Sequence, residues 1–319
     1  MQDKYPLSTK MQAFVEHCES FFPDSIIKQG IAAQRTAYNA MTNSLVNKVP
    51  ASVDIKDDQI AGVKVRFYSP TTARVNNKTS TADSLDVPPS TTVLYAHGGG
   101  WYLGGLESHH NFCVQVALRC KVTVIAVDYR LAPEHPFPAG LNDCFTVYQA
   151  LLKENVEAVL MGDSAGANLM AALTLKCQQN QIPQARGQVL IYPALAQPNS
   201  LPSHHQLSDA PLLSTESVKF CIDSYLAESE QPDRSSELIF PLQATSFEGL
   251  PRAAIFAAQY DPLVDDADKY AKKLQQHGVM ARSTIINGLV HGALHGIGRS
   301  VEADQLLEAI CDQLLELSQ

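Results

Sequence analysis

The apolar positions of this chain change period as it runs. Across residues 1–49 they fall at helical spacing. Phe14, Val15, Cys18, Phe21 and Phe22 share one face, and Ile27, Ile31, Ala32 and Tyr38 share another. Pro50 closes that region, and a short alternating run at 63–68 predicts a strand. From residue 91 the pattern becomes a series of short apolar runs, at 92–96, 122–127, 158–161, 189–192, 253–258 and 282–286. Helical patterns separate most of them, near 108–120, 139–154, 165–179 and 265–277, and one at 301–317 ends the series. Continuously apolar strands alternating with helices predict an α/β fold, with a mainly parallel central sheet covered by helices on both faces. In such sheets ligands sit beyond the carboxyl ends of the strands.

Two stretches break the alternation. Residues 71–90, TTARVNNKTSTADSLDVPPS, are polar and rich in turn formers, which predicts a long surface loop. Residues 197–240 hold proline- and serine-rich pieces around one helical run at 215–226. A strand-to-strand connection of that length is unusual without a function of its own. We expect it to contribute to a helical cap over the site, together with an N-terminal cap segment at 1–50. Residues 51–319 are then one α/β domain. No break in the strand series reads as a linker between two domains.

Composition narrows the possible partners. The 319 residues are 45% hydrophobic and 18% charged, an ordinary globular profile, with a formal net charge of −9. No run of Lys or Arg is present, which argues against a nucleic-acid partner or an anionic membrane surface. No apolar stretch approaches the roughly 20 residues that span a bilayer, and the first residues lack the apolar core of a signal peptide. The expected location is the cytoplasm. The seven cysteines are scattered with no CxxC pair, so they read as small buried side chains in a reducing compartment. Oligomeric state is open between monomer and homodimer.

The chemistry is carried by motifs at the strand ends. Gly162-Asp163-Ser164-Ala165-Gly166 fits G-x-S-x-G between a strand and a helix, the context of a nucleophile elbow. Chance alone would place such a pentapeptide in roughly one comparable chain in fifteen, so the flanking elements matter as much as the letters. The helix start also puts the Ala165 amide where negative charge would develop on a reacting carbonyl. His97-Gly98-Gly99-Gly100-Trp101 directly follows the 92–96 run and fits an oxyanion loop. Consecutive glycines let several amides turn toward one point, so two of the three from Gly98, Gly99 and Gly100, plus Ala165, are expected to hold the oxyanion. His97 is expected to order the loop.

A serine nucleophile needs a base, and the base needs an acid behind it. Asp261 follows the 253–258 run in AAIFAAQYDPLVDD, and His291 follows the next run in ARSTIINGLVHGALH. Both loops belong at the sheet edge that carries Ser164. Asp265 and Asp266 are expected instead to open the next helix, where acidic side chains favour the dipole. His295 competes with His291 as base. The pair makes a poor metal site, since HGALH lacks the glutamate of HExxH and a third ligand. His109, His110, His204 and His205 are expected on solvated or cap surfaces.

Taken together, HGGGW at 97–101, DYRLAPEHPFPA at 128–139, GDSAGAN at 162–168, YDPLVDD at 260–266 and GLVHG at 288–292 resemble the hormone-sensitive-lipase-like esterases, and among them the bacterial acetyl esterases. The likeness runs from about residue 60 to 300. It implies hydrolysis of short-chain acyl esters by a Ser164–Asp261–His291 triad, with no cofactor and no metal, beneath a cap built from the N-terminal helices and an insertion. It also implies that Asp128 and Arg130 brace the sheet edge, and that Glu134 and the prolines shape the turn into the following helix. Two residues depart from the pattern: Ala293 where the family often has Phe, and Tyr102 where many members have a smaller aliphatic residue. Both bear on the pocket. An amidase or lactonase on the same triad, and a non-catalytic ligand-binding member of the fold, are the alternatives.

Overall fold

In the computed structural model, residues 4–71, 91–227 and 235–317 are described. Three helices come first: α1 (Thr9–Glu19), α2 (Asp24–Lys28) and α3 (Ile31–Ser44). An antiparallel hairpin, β1 (Val53–Ile60) and β2 (Val63–Pro70), follows. The alternating series is β3 (Thr92–Ala96), α4 (His110–Cys120), β4 (Thr123–Val127), α5 (Ala139–Lys153), β5 (Ala158–Asp163), α6 (Ala165–Gln179) and β6 (Gly187–Ile191). Two helices, α7 (Pro202–Gln206) and α8 (Thr215–Leu226), are inserted before β7 (Ala253–Tyr260) and form the helical cap. α9 (Val264–Gln276), β8 (Ala281–Val290) and α10 (Val301–Leu317) complete the chain. All but Thr71 of the polar stretch expected as a surface loop lies outside the described residues, as do residues 228–234 of the insertion.

The eight strands form one sheet in the order β1-β2-β4-β3-β5-β6-β7-β8. β2 runs antiparallel to β4, and every pair from β4 to β8 is parallel. Each of β3, β4 and β6 is buried along its whole length, because helices cover both faces. On one face α5, α6 and α9 pack Leu141, Val147, Leu169, Leu173, Tyr270 and Leu274 against the sheet. On the other, α4, α10 and α1 contribute Phe112, Val116, Leu306, Ile310 and Phe14. Each such side chain stabilises the fold by about 1.5–3 kcal/mol relative to exposure.

Register decides where the loops emerge. Ala96 lies level with both Val127 and Gly162, so residues 97 and 128 leave the sheet beside Asp163, the last residue of β5. An irregularity between Ala258 and Tyr260 brings Tyr260 level with Val290. The next residues, Asp261 and His291, are therefore neighbours although thirty positions apart. α6 packs so tightly behind the sheet edge that a Cβ on Gly166 would fall 2.1 Å from the Ala96 carbonyl oxygen.

The inserted helices are pinned at their bases. Asn168, on α6, donates from one amide nitrogen to Ala194 O (2.7 Å) and Ile239 O (2.9 Å), gripping both ends of the insertion. Asp265 and Asp266 do lie in the first turn of α9, but their carboxylates also reach back to the cap. Asp266 accepts from the Leu195 and Ala196 amides at 2.7 Å and from His204 Nε2 at 2.9 Å, and Asp265 accepts from the Ser203 amide.

Candidate active site

Ser164 occupies the turn between β5 and α6 with φ +52° and ψ −120°, a conformation that L-residues rarely adopt. The turn projects its side chain above the strand ends. Its Oγ is 2.8 Å from His291 Nε2, and His291 Nδ1 is 2.6 Å from Asp261 Oδ2. Asp261 is fully buried, and its second oxygen accepts from the Leu263 amide at 2.8 Å, which fixes the carboxylate. The geometry requires the proton of the imidazole on Nδ1, facing the acid, and the lone pair on Nε2, facing the hydroxyl. The three side chains named from the motifs thus form one hydrogen-bonded chain.

The 97–101 loop stands opposite. Its Gly98 amide is occupied, donating to Asp163 Oδ1 at 2.8 Å. That removes Gly98 from the amides free to face a ligand and leaves Gly99, Gly100 and Ala165, which line the cavity and donate to no protein group among the described residues. Gly99 has φ +118°, and a Cβ there would meet the Leu103 carbonyl oxygen at 2.4 Å, so no other residue fits. The Tyr102 and Leu103 amides close the turn onto Gly99 O at 3.2 and 2.8 Å.

Asp163 is the hidden support of this loop. Its buried carboxylate also accepts from the Tyr95 hydroxyl at 2.6 Å and lies 3.3 Å from His109 Nε2. Burial alone would push its pKa up. His109 and the Tyr95 hydrogen bond more than reverse that and hold it well below the usual carboxylate range. His109 is therefore no surface residue. It is 3% exposed, against the expectation of a solvated or cap surface, because a buried anion faces it. His204 is corrected in the same way by Asp266, whereas His110 is half-buried and His205 exposed.

His97 stacks on Tyr129 with ring centroids 4.3 Å apart, and the Tyr129 hydroxyl donates to His97 O at 2.7 Å. Burial, with His109 nearby, lowers the His97 pKa to about 4, so the ring is neutral packing material near pH 7. His295 points away from Ser164, toward Tyr38 (3.1 Å from the hydroxyl) and the His109 ring, and burial lowers its pKa to about 3. Arg130 pairs with Asp143 of α5 at 2.8 Å, so it braces that helix more than the sheet edge.

A cavity of about 560 Å³ opens over Ser164 and His291. Its walls come from α1 and α3 (Phe14, Tyr38, Met41) and from α8 (Val218, Phe220, Cys221), with no Lys or Arg among them. Of the two unusual pocket positions, Tyr102 lines this cavity, while Ala293 is fully buried in the apolar layer behind it. Cys221 reaches the loop itself: a Cβ on Gly100 would fall 2.5 Å from its Sγ. The other six cysteines are buried. Trp101 stacks on Tyr225 of α8, with centroids 4.7 Å apart and planes 8° from parallel. No helix among the described residues is long and apolar enough to cross a membrane.

Comparison with known proteins agrees with this construction. Residues 93–295 match the family described as alpha/beta hydrolase fold. The chain is 31% identical over 274 residues to the esterase LipI of Mycobacterium tuberculosis, covering 83% of this chain and 82% of that one. It is 31% identical over 231 residues to an ethyl acetate hydrolase of Pseudomonas putida, covering 70% and 72%. The crystal structure of an esterase from the bacterial hormone-sensitive lipase family superposes with a TM-score of 0.85 over 98% of this chain and 99% of that one, at 22% identity, a likeness of fold. The chain belongs to the α/β-hydrolase family and is a carboxylic ester hydrolase.

Proposed function

We propose that the protein hydrolyses short-chain acyl esters through an acyl-enzyme on Ser164. The observation that carries this reading is the Ser164–His291–Asp261 chain, set at the floor of a cavity beside three unoccupied amides. His291 Nε2 takes the hydroxyl proton as Ser164 Oγ attacks the ester carbonyl. The carbonyl oxygen, now negative, is held by the amides of Gly99, Gly100 and Ala165, each such donor contributing about 3 kcal/mol at the transition state. His291 then protonates the departing alkoxide, and the alcohol leaves. Water, deprotonated by His291, attacks the acyl-enzyme and releases the acid. Asp261 fixes the tautomer and stabilises the imidazolium while it exists.

The N-terminal helices and the α7–α8 insertion together act as the cap, since both wall the cavity. Preference for short acyl chains rests on the likeness to the ethyl acetate hydrolase and on the motifs. The absence of a cation from the cavity walls favours neutral esters over anionic ones. Ser164→Ala is expected to lower kcat/KM for p-nitrophenyl acetate by about 10⁴-fold or more. Turnover near the wild-type rate would refute the assignment. With the wild-type protein, acetate and butyrate esters are expected to outpace the octanoate, and a rate rising through octanoate would refute the chain-length preference.

A further inference from the structure

The N-terminal helices supply no member of the hydrogen-bonded chain at Ser164. Their strongest polar contact nevertheless falls on the loop that carries the glycine amides. Arg35, on α3, donates from Nε to Tyr102 O at 2.7 Å and from Nη2 to Ala132 O at 2.7 Å. Nη1 and Nη2 also grip the two oxygens of Glu134, each at 2.7 Å. The residue before it, Gln34, accepts from the Tyr102 hydroxyl at 2.8 Å. α3 therefore holds both the backbone and the side-chain tip of Tyr102. That residue's own amide closes the turn on Gly99, and the Ala132 amide donates to Trp101 O at 3.0 Å. All of these bonds converge on residues 99–102 or on the segment that backs them.

A planar guanidinium with five donors can serve two carbonyls and one carboxylate at once. An ammonium is a compact point charge and cannot span the same three sites. The contact is also more than the helices need for attachment. Met11, Phe14, Val15, Cys18, Met41 and Leu45 already bury themselves in the apolar layer beneath. The Arg35 side chain is only 27% exposed, and desolvating that cation is offset only if its donors are engaged. The structure thus commits a partly buried cation to the loop after the three glycines.

We propose that Arg35 is a positioning residue for ester hydrolysis, holding the Tyr102 and Ala132 carbonyls so that the Gly99 and Gly100 amides are aimed at the developing oxyanion before substrate arrives. This rests on the reading of those amides given under Proposed function. Glu134 orients the guanidinium from its solvent side, and Arg35 in turn pulls the Glu134 carboxyl down to about 2.

The test compares Arg35→Ala, Arg35→Lys and Glu134→Gln with the wild-type chain, using p-nitrophenyl butyrate and an aliphatic trifluoromethyl ketone. That ketone adds to the serine hydroxyl to form a tetrahedral oxyanion, so its affinity reads the amides directly. Arg35→Ala is expected to lower kcat about 30-fold with KM changed less than about threefold, and to weaken the ketone in proportion to kcat/KM. Arg35→Lys should recover little of this loss, and ethylguanidinium added to Arg35→Ala should recover part. Glu134→Gln, which keeps Arg35 but loosens the hold on its guanidinium, should show the same pattern at about 3-fold to 10-fold, and it stands in for the Arg35 variants if they do not fold.

Variants that keep wild-type kcat and ketone affinity while melting earlier would overturn the proposal and make Arg35 a structural tie only. A ketone that fails to inhibit the wild-type chain would instead refute the reading of Ser164 and its amides. A tight ketone complex equally tight in Arg35→Ala would remove this inference and leave that reading intact.

Discussion

The site has two corners that are assembled by different means. Ser164, Asp261 and His291 each follow the end of a parallel strand, and register alone brings the last two level. Once the sheet forms, their hydrogen bonds need no help from the cap. The 97–103 loop also leaves a strand, yet its shape depends on groups brought from elsewhere. Asp163 holds it from below, Tyr129 and Ala132 from one side, and α3 and α8 from above. Side chains that move a proton can be fixed by the scaffold, because each needs only one direction. Amides that must face one point at once need every neighbouring peptide held, so they draw on more of the chain.

Asp163 gives the strongest way to break the contrast, because its carboxylate holds the loop and pairs with none of Ser164, Asp261 and His291. Asp163→Asn keeps the shape but removes the charge that Gly98, Tyr95 and His109 share. We expect kcat to fall about 100-fold and stability to fall by about 3 kcal/mol in denaturant unfolding, as for a buried pair that loses one partner. The pH dependence carries a sign. Because the folded pKa is depressed, its stabilisation is complete above the unfolded value of about 3.9 and is lost as pH falls through the folded one. The stability gap between wild type and variant should therefore stay constant from about pH 8 to 5 and shrink only below about pH 4. Unchanged kcat would mean that the loop holds itself.

A smaller effect sharpens the contrast from the other side. His204→Asn removes one of the three partners of the Asp266 carboxylate at the base of the cap, away from both corners. The expected outcome is a loss of about 2 kcal/mol with kcat within about twofold of wild type. A large fall in kcat would show that the cap base, too, steers the chemistry.

Which of these features could be read from letters alone follows from what buries them. β3 to β7 announce themselves because both faces are covered, so almost every position is apolar or small, with Asp163, Gln188 and Gln259 the exceptions. The helical run at 215–226 coincides with α8, whose Ser214 cap accepts from the Ser217 amide. β1 escaped notice because it is the outer strand of a hairpin and four of its central residues, Asp57 among them, face water. Its only signal is Gly62 in the turn, at φ +83°. His109 and His204 were misplaced for a different reason. Their burial is permitted by carboxylates 54 and 62 residues away in the chain, and no local pattern encodes such a partner. Arg35 sits on an amphipathic helix, where a cation ordinarily reads as part of a solvated face. GDSAGAN and HGGGW were legible as chemistry, but the occupation of the Gly98 amide by Asp163 needed three dimensions.

The backbone at residue 164 carries a consequence for stability. A side chain held at φ +52° costs about 1–2 kcal/mol, and glycine would sit there freely. Ser164→Gly is accordingly expected to raise the melting temperature of a protein that no longer turns over esters. The chain thus gives up stability at one torsion to hold a hydroxyl above the strand ends.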